Sequence, residues 1–195
     1  ISEGLSVAMR ESLTTGLLDI ALLYNTAPAP GIEITALLEE DLFLVQRRPA
    51  AQTDADAAAL AGIPVPLHAL TQFPLVIPTR PNSIRMLVES ELAAQGGRPQ
   101  ISLEIDGVAA ILDLVADGAG CAMLPMNAVT TSGKPEVFST RPIHGASSDD
   151  GSEDGARLRS KLYLAVSSQR PATLTQQAMA ELIRTTLMAL YKTPG

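Results

Sequence analysis

"ISLEIDGVAAILDLVADGAGCAMLP", residues 101–125, changes its hydrophobic period twice, and those changes decide the fold class. The first six residues, ISLEID, alternate apolar and polar as a strand with one covered face does. From Val108 the spacing becomes helical. Val108, Ile111, Leu112 and Val115 fall on one face, and Asp106 stands where an N-cap belongs. Gly118 then ends the helix, Gly120 lets the chain turn, and AGCAMLP returns as a short apolar strand. Strand, helix and strand in immediate succession form the building unit of an α/β protein.

The same alternation extends outward. FPLVIP, residues 73–78, is a short buried strand, and a helix follows over 83–95. That helix carries Ile84, Leu87, Val88 and Leu92 on one face, with Glu89 and Glu91 away from it, and GGRP ends it. Near the start, Leu5, Met9 and Leu13 form a helical stripe stopped by Gly16. LLDIALLY, a Pro- and Gly-rich loop (TAPAPG) and the strand LLEEDLFLVQ come next. Apolar runs of this length suit strands covered on both faces, so the sheets are expected to be mainly parallel. Residues 49–72 are Ala- and Pro-rich with no long periodic element, and 145–157 form an acidic, Gly- and Ser-rich surface loop. The strand KLYLAVS precedes a final helix over about 173–191, which opens with Thr173 and Gln176 at capping-box spacing.

Composition excludes several functions. No apolar run reaches the roughly 18 residues of a membrane span, although mean hydropathy is +0.20 and 46% of residues are hydrophobic. With 3% aromatics and no Trp, stacking on nucleobases is not the main activity. Twenty-one acidic against 14 basic side chains give a net charge of −7, which argues against this chain holding a phosphate backbone by itself. Arg47–Arg48 and Arg157 with Arg159 read as solvated surface. So do Glu39, Glu40 and Asp41, in preference to an acid–base pair. The lone Cys121 excludes an internal disulfide, fits a reducing cytoplasmic compartment and reads as a small buried hydrophobe. His68 and His144 lie far apart, and neither a metal site nor a cofactor is expected. DGAGCA is not a phosphate loop, no G-x-S-x-G elbow occurs, and no catalytic residue is nominated. No signal peptide is visible in a sequence that begins with Ile.

In open α/β sheets, ligands sit beyond the carboxyl ends of strands, where helix N-termini present unpaired N–H groups. Three junctions have that form: Tyr24–Asn25, Thr79–Ser83 and Asp106–Val108. At the second, Thr79, Arg80, Asn82 and Ser83 bring hydroxyl, amide and guanidinium donors to a helix start, a set suited to a small anionic or polar molecule. Asn82 or Ser83 also serves as the cap of that helix.

GLLDIALLYN, LLEEDLFLV, FPLVIPTRPNSIR and ISLEIDGVAAILDLVADGAGCAMLP, in this order and spacing, resemble the effector-binding domain of LysR-type transcriptional regulators across nearly the whole chain. The resemblance implies a two-lobed, type II periplasmic-binding-protein-like α/β fold with two mainly parallel sheets and a hinge. Lobe one would hold residues 1–45 and 170–195 and be N-terminally incomplete, and lobe two would hold 46–169. A small effector would occupy the interlobe cleft, against Tyr24 and Asn25 of lobe one and Thr79, Arg80, Asn82, Ser83, Ile105, Asp106, Gly107 and Met126 of lobe two. The implied partners are that effector, a second copy in a homodimer or homotetramer, and DNA through a winged helix-turn-helix absent from this sequence. The helices at 3–15 and 83–95 would be the dimer faces. The implied role is sensing, not catalysis; an exported solute-binding protein of the same fold is the alternative.

Overall fold

The computed structural model describes residues 2, 4–49, 53–61, 63–145, 157–169 and 171–192. Six helices and eight strands follow one another as α1 Ser6–Thr14, β1 Ile20–Tyr24, β2 Ile32–Arg47, α2 Asp54–Ala61, β3 Val65–Pro66, β4 Pro74–Ile77, α3 Ser83–Ala94, β5 Gln100–Glu104, α4 Val108–Ala116, β6 Ala122–Pro125, α5 Met126–Thr130, β7 Phe138–His144, β8 Arg159–Ser167 and α6 Leu174–Lys192. The chain divides into two compact units. The smaller holds Ile1–Glu39, Pro81–Ser83 and Lys161–Gly195, and the larger holds Glu40–Arg80 and Ile84–Ser160.

In the larger unit, period-two alternation sends neighbouring side chains to opposite faces of the sheet. Leu44, Leu75, Ile77 and Met123 join Val88 and Leu92 of α3 in one core. Val45, Val76, Ala122 and Leu124 join Ile111, Leu112 and Val115 of α4 in the other. The central strands β4 and β6 are therefore covered on both sides by helices, the three-layer form that the strand–helix–strand pattern predicts. By contrast, β5 is exposed at all five positions, so its apolar–polar alternation does not mark a covered face. In the smaller unit, Leu13 of α1, Leu23, Ile32 and Ala165 form the core. Here β1 is not covered on both faces, for Leu22 is 41% exposed.

The α/β class holds, and the sheets are mixed, not mainly parallel. β1 pairs antiparallel with β8, and β2 pairs antiparallel with both β6 and β7. β3 pairs parallel with β7, and β4 parallel with β5. A run of apolar residues carries no information on strand direction, and here the antiparallel partners lie far along the chain. The stretch 49–72 also contains α2, and the fully described part of 145–157 is Gly145 and Arg157, residues 146–156 lying outside the described residues.

Glycines mark the turns that were read from sequence. Gly16 (φ 72°) and Gly118 (φ 85°) end α1 and α4 in the left-handed conformation. Gly120 answers a different need, because a Cβ there would lie 2.5 Å from the Pro74 carbonyl oxygen and 3.1 Å from Val76 Cγ2. At the C-terminal helix, Thr173 Oγ1 accepts from the Gln176 N–H at 3.1 Å as the capping spacing requires. The Gln176 side chain does not return the bond; its Nε2 donates to the Asp19 carbonyl at 3.2 Å.

The charged clusters lie mostly on the surface, as composition suggests, with Arg157 and Arg159 about half exposed, but they are paired there and not merely solvated. Asp41 accepts from Arg157 Nη1 at 2.6 Å and from Arg159 Nε at 2.8 Å. Burial works against ionising Asp41, but the two guanidinium groups outweigh it and hold the carboxyl below its ordinary value. Glu40 is buried, and Glu39 pairs with Lys161 Nζ at 2.9 Å.

Substituting Gly120→Ala is expected to destabilise the chain by about 1–3 kcal/mol, since rigid backbone, not a flexible side chain, opposes the added methyl. Gly133→Ala, where nothing lies within 4 Å, is the control and is expected to be near neutral. Urea unfolding midpoints of the two variants decide the matter; equal midpoints would contradict the close approach.

Candidate functional site

The carboxyl ends of β4 and β5 share one edge of the larger unit because the two strands run parallel. Cys121, just before β6, bridges Leu75 in parallel as well, so β6 ends at the same edge. Each strand feeds a helix there: β4 leads through Pro78–Asn82 to α3, β5 through Ile105–Gly107 to α4, and β6 directly to α5. Three helix starts thus meet one sheet edge, the arrangement in which α/β proteins place ligands.

Two of the sequence candidates are bonded to each other. The Thr79 N–H donates to Asp106 Oδ1 at 2.9 Å, and Thr79 Oγ1 lies 2.8 Å from Oδ1 and 2.6 Å from Oδ2. The hydroxyl and amide of Thr79 hold the Asp106 carboxyl below its ordinary value of 3.8. Asp106 is consequently not the N-cap of α4. Gly107 takes that position with φ 95°, and no side chain caps the helix. The long-range pairing with Thr79 outcompetes the local cap, and no local pattern signals it.

Ile105 extends the ladder, its N–H donating to the Ile77 carbonyl at 3.0 Å, while its side chain packs on the α4 core. Met126 is half-buried at the first position of α5, after Pro125. Asn82 and Ser83 are half-buried at the start of α3. They group with the smaller unit, where the Asn25 amide Nδ2 donates to the Ser83 carbonyl at 3.4 Å. Asn25 adopts φ 48° and continues the β1–β8 pairing, its N–H donating to the Lys161 carbonyl at 2.8 Å and its Oδ1 accepting from Lys161 N–H at 2.8 Å. The Tyr24 N–H donates to Ser6 Oγ at 3.0 Å.

Arg80 turns toward α3, with Nε 3.0 Å and Nη2 2.8 Å from Glu89 Oε2. Glu89 also accepts from Arg85 Nε at 2.9 Å. Arg85 was not singled out from sequence, yet it is 4% exposed and lies with Val88 and Leu92 on the buried stripe of α3. Its Nη1 donates to the Pro78 carbonyl at 2.9 Å and its Nη2 to Glu104 Oε1 at 3.1 Å. Arg85 chiefly, through that bond, holds the Glu104 carboxyl below its ordinary value. The available signal was an arginine on a buried helical stripe with a glutamate four residues on, since a buried charge requires a partner. Cys121 is buried as expected, and burial pushes its thiol above the ordinary value against the donating Gln46 amide.

Comparison with known proteins places these features in context. The family described as LysR substrate binding domain matches residues 1–188. The nitrogen assimilation regulatory protein nac of Escherichia coli (strain K12) is 29% identical over 128 residues, 66% of this chain and 39% of that protein. This chain therefore spans about two-fifths of the length of that relative. Among solved structures, the Synechocystis PCC6803 CcmR regulatory domain in complex with 2-PG has a TM-score of 0.72 at 17% identity, over 97% of this chain and 81% of that one. The BenM effector binding domain with its effector benzoate has a TM-score of 0.69 at 20% identity, over 100% of this chain and 80% of that one. These likenesses show the fold.

The Thr79–Asp106 pairing has a titratable consequence. A carboxyl depressed in the folded state contributes stability above its unfolded value, and that contribution disappears as the pH falls through the folded value. The Asp106 carboxyl is expected to titrate below 3.8 in the wild type and to move up in Thr79→Val, which keeps the amide donor and loses the hydroxyl. A carbon-13 NMR titration of the side-chain carboxyls measures this; an unchanged midpoint would mean that the hydroxyl bond is not formed in solution.

Proposed function

We propose that this chain, which belongs to the LysR substrate-binding domain family, senses a small molecule and thereby modulates DNA binding and transcription by the full-length protein. The observation that carries this reading is the meeting of three helix starts at one sheet edge of the larger unit. The proposed effector contacts at that edge are Thr79, Arg80, Ile105, Asp106, Gly107 and Met126; Tyr24, Asn25, Asn82 and Ser83, which belong to the smaller unit, are the further candidates. DNA contact belongs to a helix-turn-helix segment outside this sequence, in keeping with the net charge of −7 here. The assembly is a homodimer or homotetramer in the cytoplasm, formed through α1 and α3.

An anionic or polar effector suits the donors at the edge. Benzoate, a carboxylate, as the effector of the related BenM domain supports the same class. Sensing needs no catalytic group, only a ligand that binds one of two states better than the other. A coupling of about 1–3 kcal/mol is the ordinary size of such an effect. The family and the relative nac are transcription regulators, and no observation favours an exported solute-binding role.

A thermal-shift screen of small carboxylic and phosphorylated acids tests the reading, since a ligand at 100 times its dissociation constant stabilises by ~2.7 kcal/mol. With a compound found in that way, the double variant Thr79→Ala, Asn82→Ala is expected to bind about tenfold or more weakly, from ~1–3 kcal/mol per buried group left unpaired. Calorimetry that finds full-strength binding in this variant would move the site elsewhere.

A further inference from the structure

The edge that would receive an acidic effector is itself acidic. Among the side chains bonded there, the carboxylates Glu89, Glu104 and Asp106 face only two guanidinium groups, Arg80 and Arg85. The strongest donors are already engaged: Thr79 with Asp106, Arg85 with Glu89, Glu104 and the Pro78 carbonyl, and Arg80 with Glu89. An incoming anion has to displace a protein carboxylate before it gains a guanidinium.

The two arginines differ in how readily they change partner. The Arg85 side chain is 5% exposed and donates to three acceptors on three segments, so freeing it would leave buried polar groups unpaired. The Arg80 side chain is 63% exposed, and both of its bonds go to the single atom Glu89 Oε2. The arginine end of this pair stands in water, where salt screens it and a long side chain must be held still, although the Glu89 side chain is only 13% exposed. Glu89 has a second source of charge balance. Its Oε1, the oxygen that Arg80 does not use, is bonded to Arg85 at 2.9 Å. Transferring Arg80 from Glu89 to an external oxyanion therefore leaves Glu89 with a guanidinium partner, which it shares with Glu104. It also exchanges a contact with one oxygen for a possible two-oxygen fork, the stronger geometry for guanidinium.

We infer that Glu89 is a built-in competitor for the effector's acidic group: it holds Arg80 when no effector is bound and yields it to an oxyanion, while Glu89 keeps Arg85 as its partner. The inference rests on the reading of this edge as the effector site and names the ligand class. The effector carries a carboxylate or phosphate that presents two oxygens to Arg80, and neutral polar molecules are rejected because they cannot outbid Glu89. Glu89 is thus a specificity-determining residue that does not touch the ligand.

Inorganic phosphate, titrated into the isotopically labelled chain and followed by NMR, tests this without knowledge of the natural effector. Phosphate is expected to shift the amides of Thr79, Arg80, Asn82 and Ser83 and those of Ile105–Gly107. The Arg80 Nε–H and the Glu89 carboxyl carbon should move on the same isotherm, with the Arg85 Nε–H held in place. Glu89→Gln, which retains an acceptor for Arg85, is expected to bind phosphate about two- to fivefold more tightly, the scale set by an exposed ion pair. Arg80→Gln should lose the binding. Equal affinity in the wild type and Glu89→Gln, or a Glu89 carboxyl signal that stays put while the edge amides saturate, overturns the inference and leaves the edge as the site. Absence of any shift at the edge in both proteins overturns the inference together with the reading of the edge as an anion site. The carboxyl signal is read in the wild type, so the outcome is decided even if a variant fails to fold.

Discussion

The Cys121 N–H donates to the Pro74 carbonyl at 2.8 Å, and the Val76 N–H donates to the Cys121 carbonyl at 2.8 Å. This pair of bonds sets the direction of β6 against β4, as the β4–β5 ladder sets the direction of β5. Parallel alignment has a geometric consequence that no side chain has to supply: every strand so aligned ends at the same edge, and every helix that follows begins there. The constraint reaches back into the sequence at Gly120, where backbone occupies the space of a side chain. It reaches forward into the two cores, because strands fixed in this register send Leu75 and Ile77 toward α3 and Val76 toward α4.

The junctions built on that edge are then fastened by polar bonds that cross between them. Thr79 ties the end of β4 to the end of β5 through Asp106. Arg85 repeats the tie one turn into α3, joining the Pro78 carbonyl to Glu104 at the end of β5. Both fastenings spend charged or hydroxyl groups on the protein itself. The long strands β2 and β8 have residues in both units, and there too charges are matched: Glu39 with Lys161 in the smaller unit, Asp41 with Arg157 and Arg159 in the larger. A chain with a net charge of −7 thus places several of its 14 basic side chains opposite carboxylates that would otherwise repel one another.

Local pattern made the strands around 73–78 and 121–125 legible as short apolar runs, together with the helices they alternate with, because burial of a helix face writes a period into the sequence. The alternation at 101–106 marked a strand but not a covered face, since β5 is exposed throughout. α2 escaped since DADAAALA has no apolar stripe, and β7, FSTRPIH, is interrupted by Arg141 and Pro142. Pairing direction was not legible, for the residues that decide it lie on other strands. At the candidate site the positions Thr79, Asp106 and Asn25 were found from their place at strand ends, but their bonds were not. Thr79 meets Asp106 across 27 residues and Asn25 meets Ser83 across 58, and no spacing rule connects such pairs. Arg85 was hidden for the opposite reason, as a charge inside an apolar stripe that a hydrophobicity count passes over.

A sensor must be folded without its ligand and still hold binding energy in reserve, two demands that oppose each other. Groups left unpaired to await a ligand would be costly when buried. Groups fully committed to the protein would have nothing left to offer. The network at this edge separates the demands by depth. Arg85, buried and bonded to Glu89, Glu104 and the Pro78 carbonyl, keeps the junctions in place. Arg80, exposed and bonded to one oxygen of Glu89, can change partner at little cost. Glu89 stands between them and touches both, so it keeps a guanidinium partner if Arg80 leaves. On the proposed reading such an edge is stable without effector, and its affinity is the difference between two oxyanions competing for one guanidinium. That difference is small by construction, which suits a ligand whose task is to bias an equilibrium and not to be held permanently.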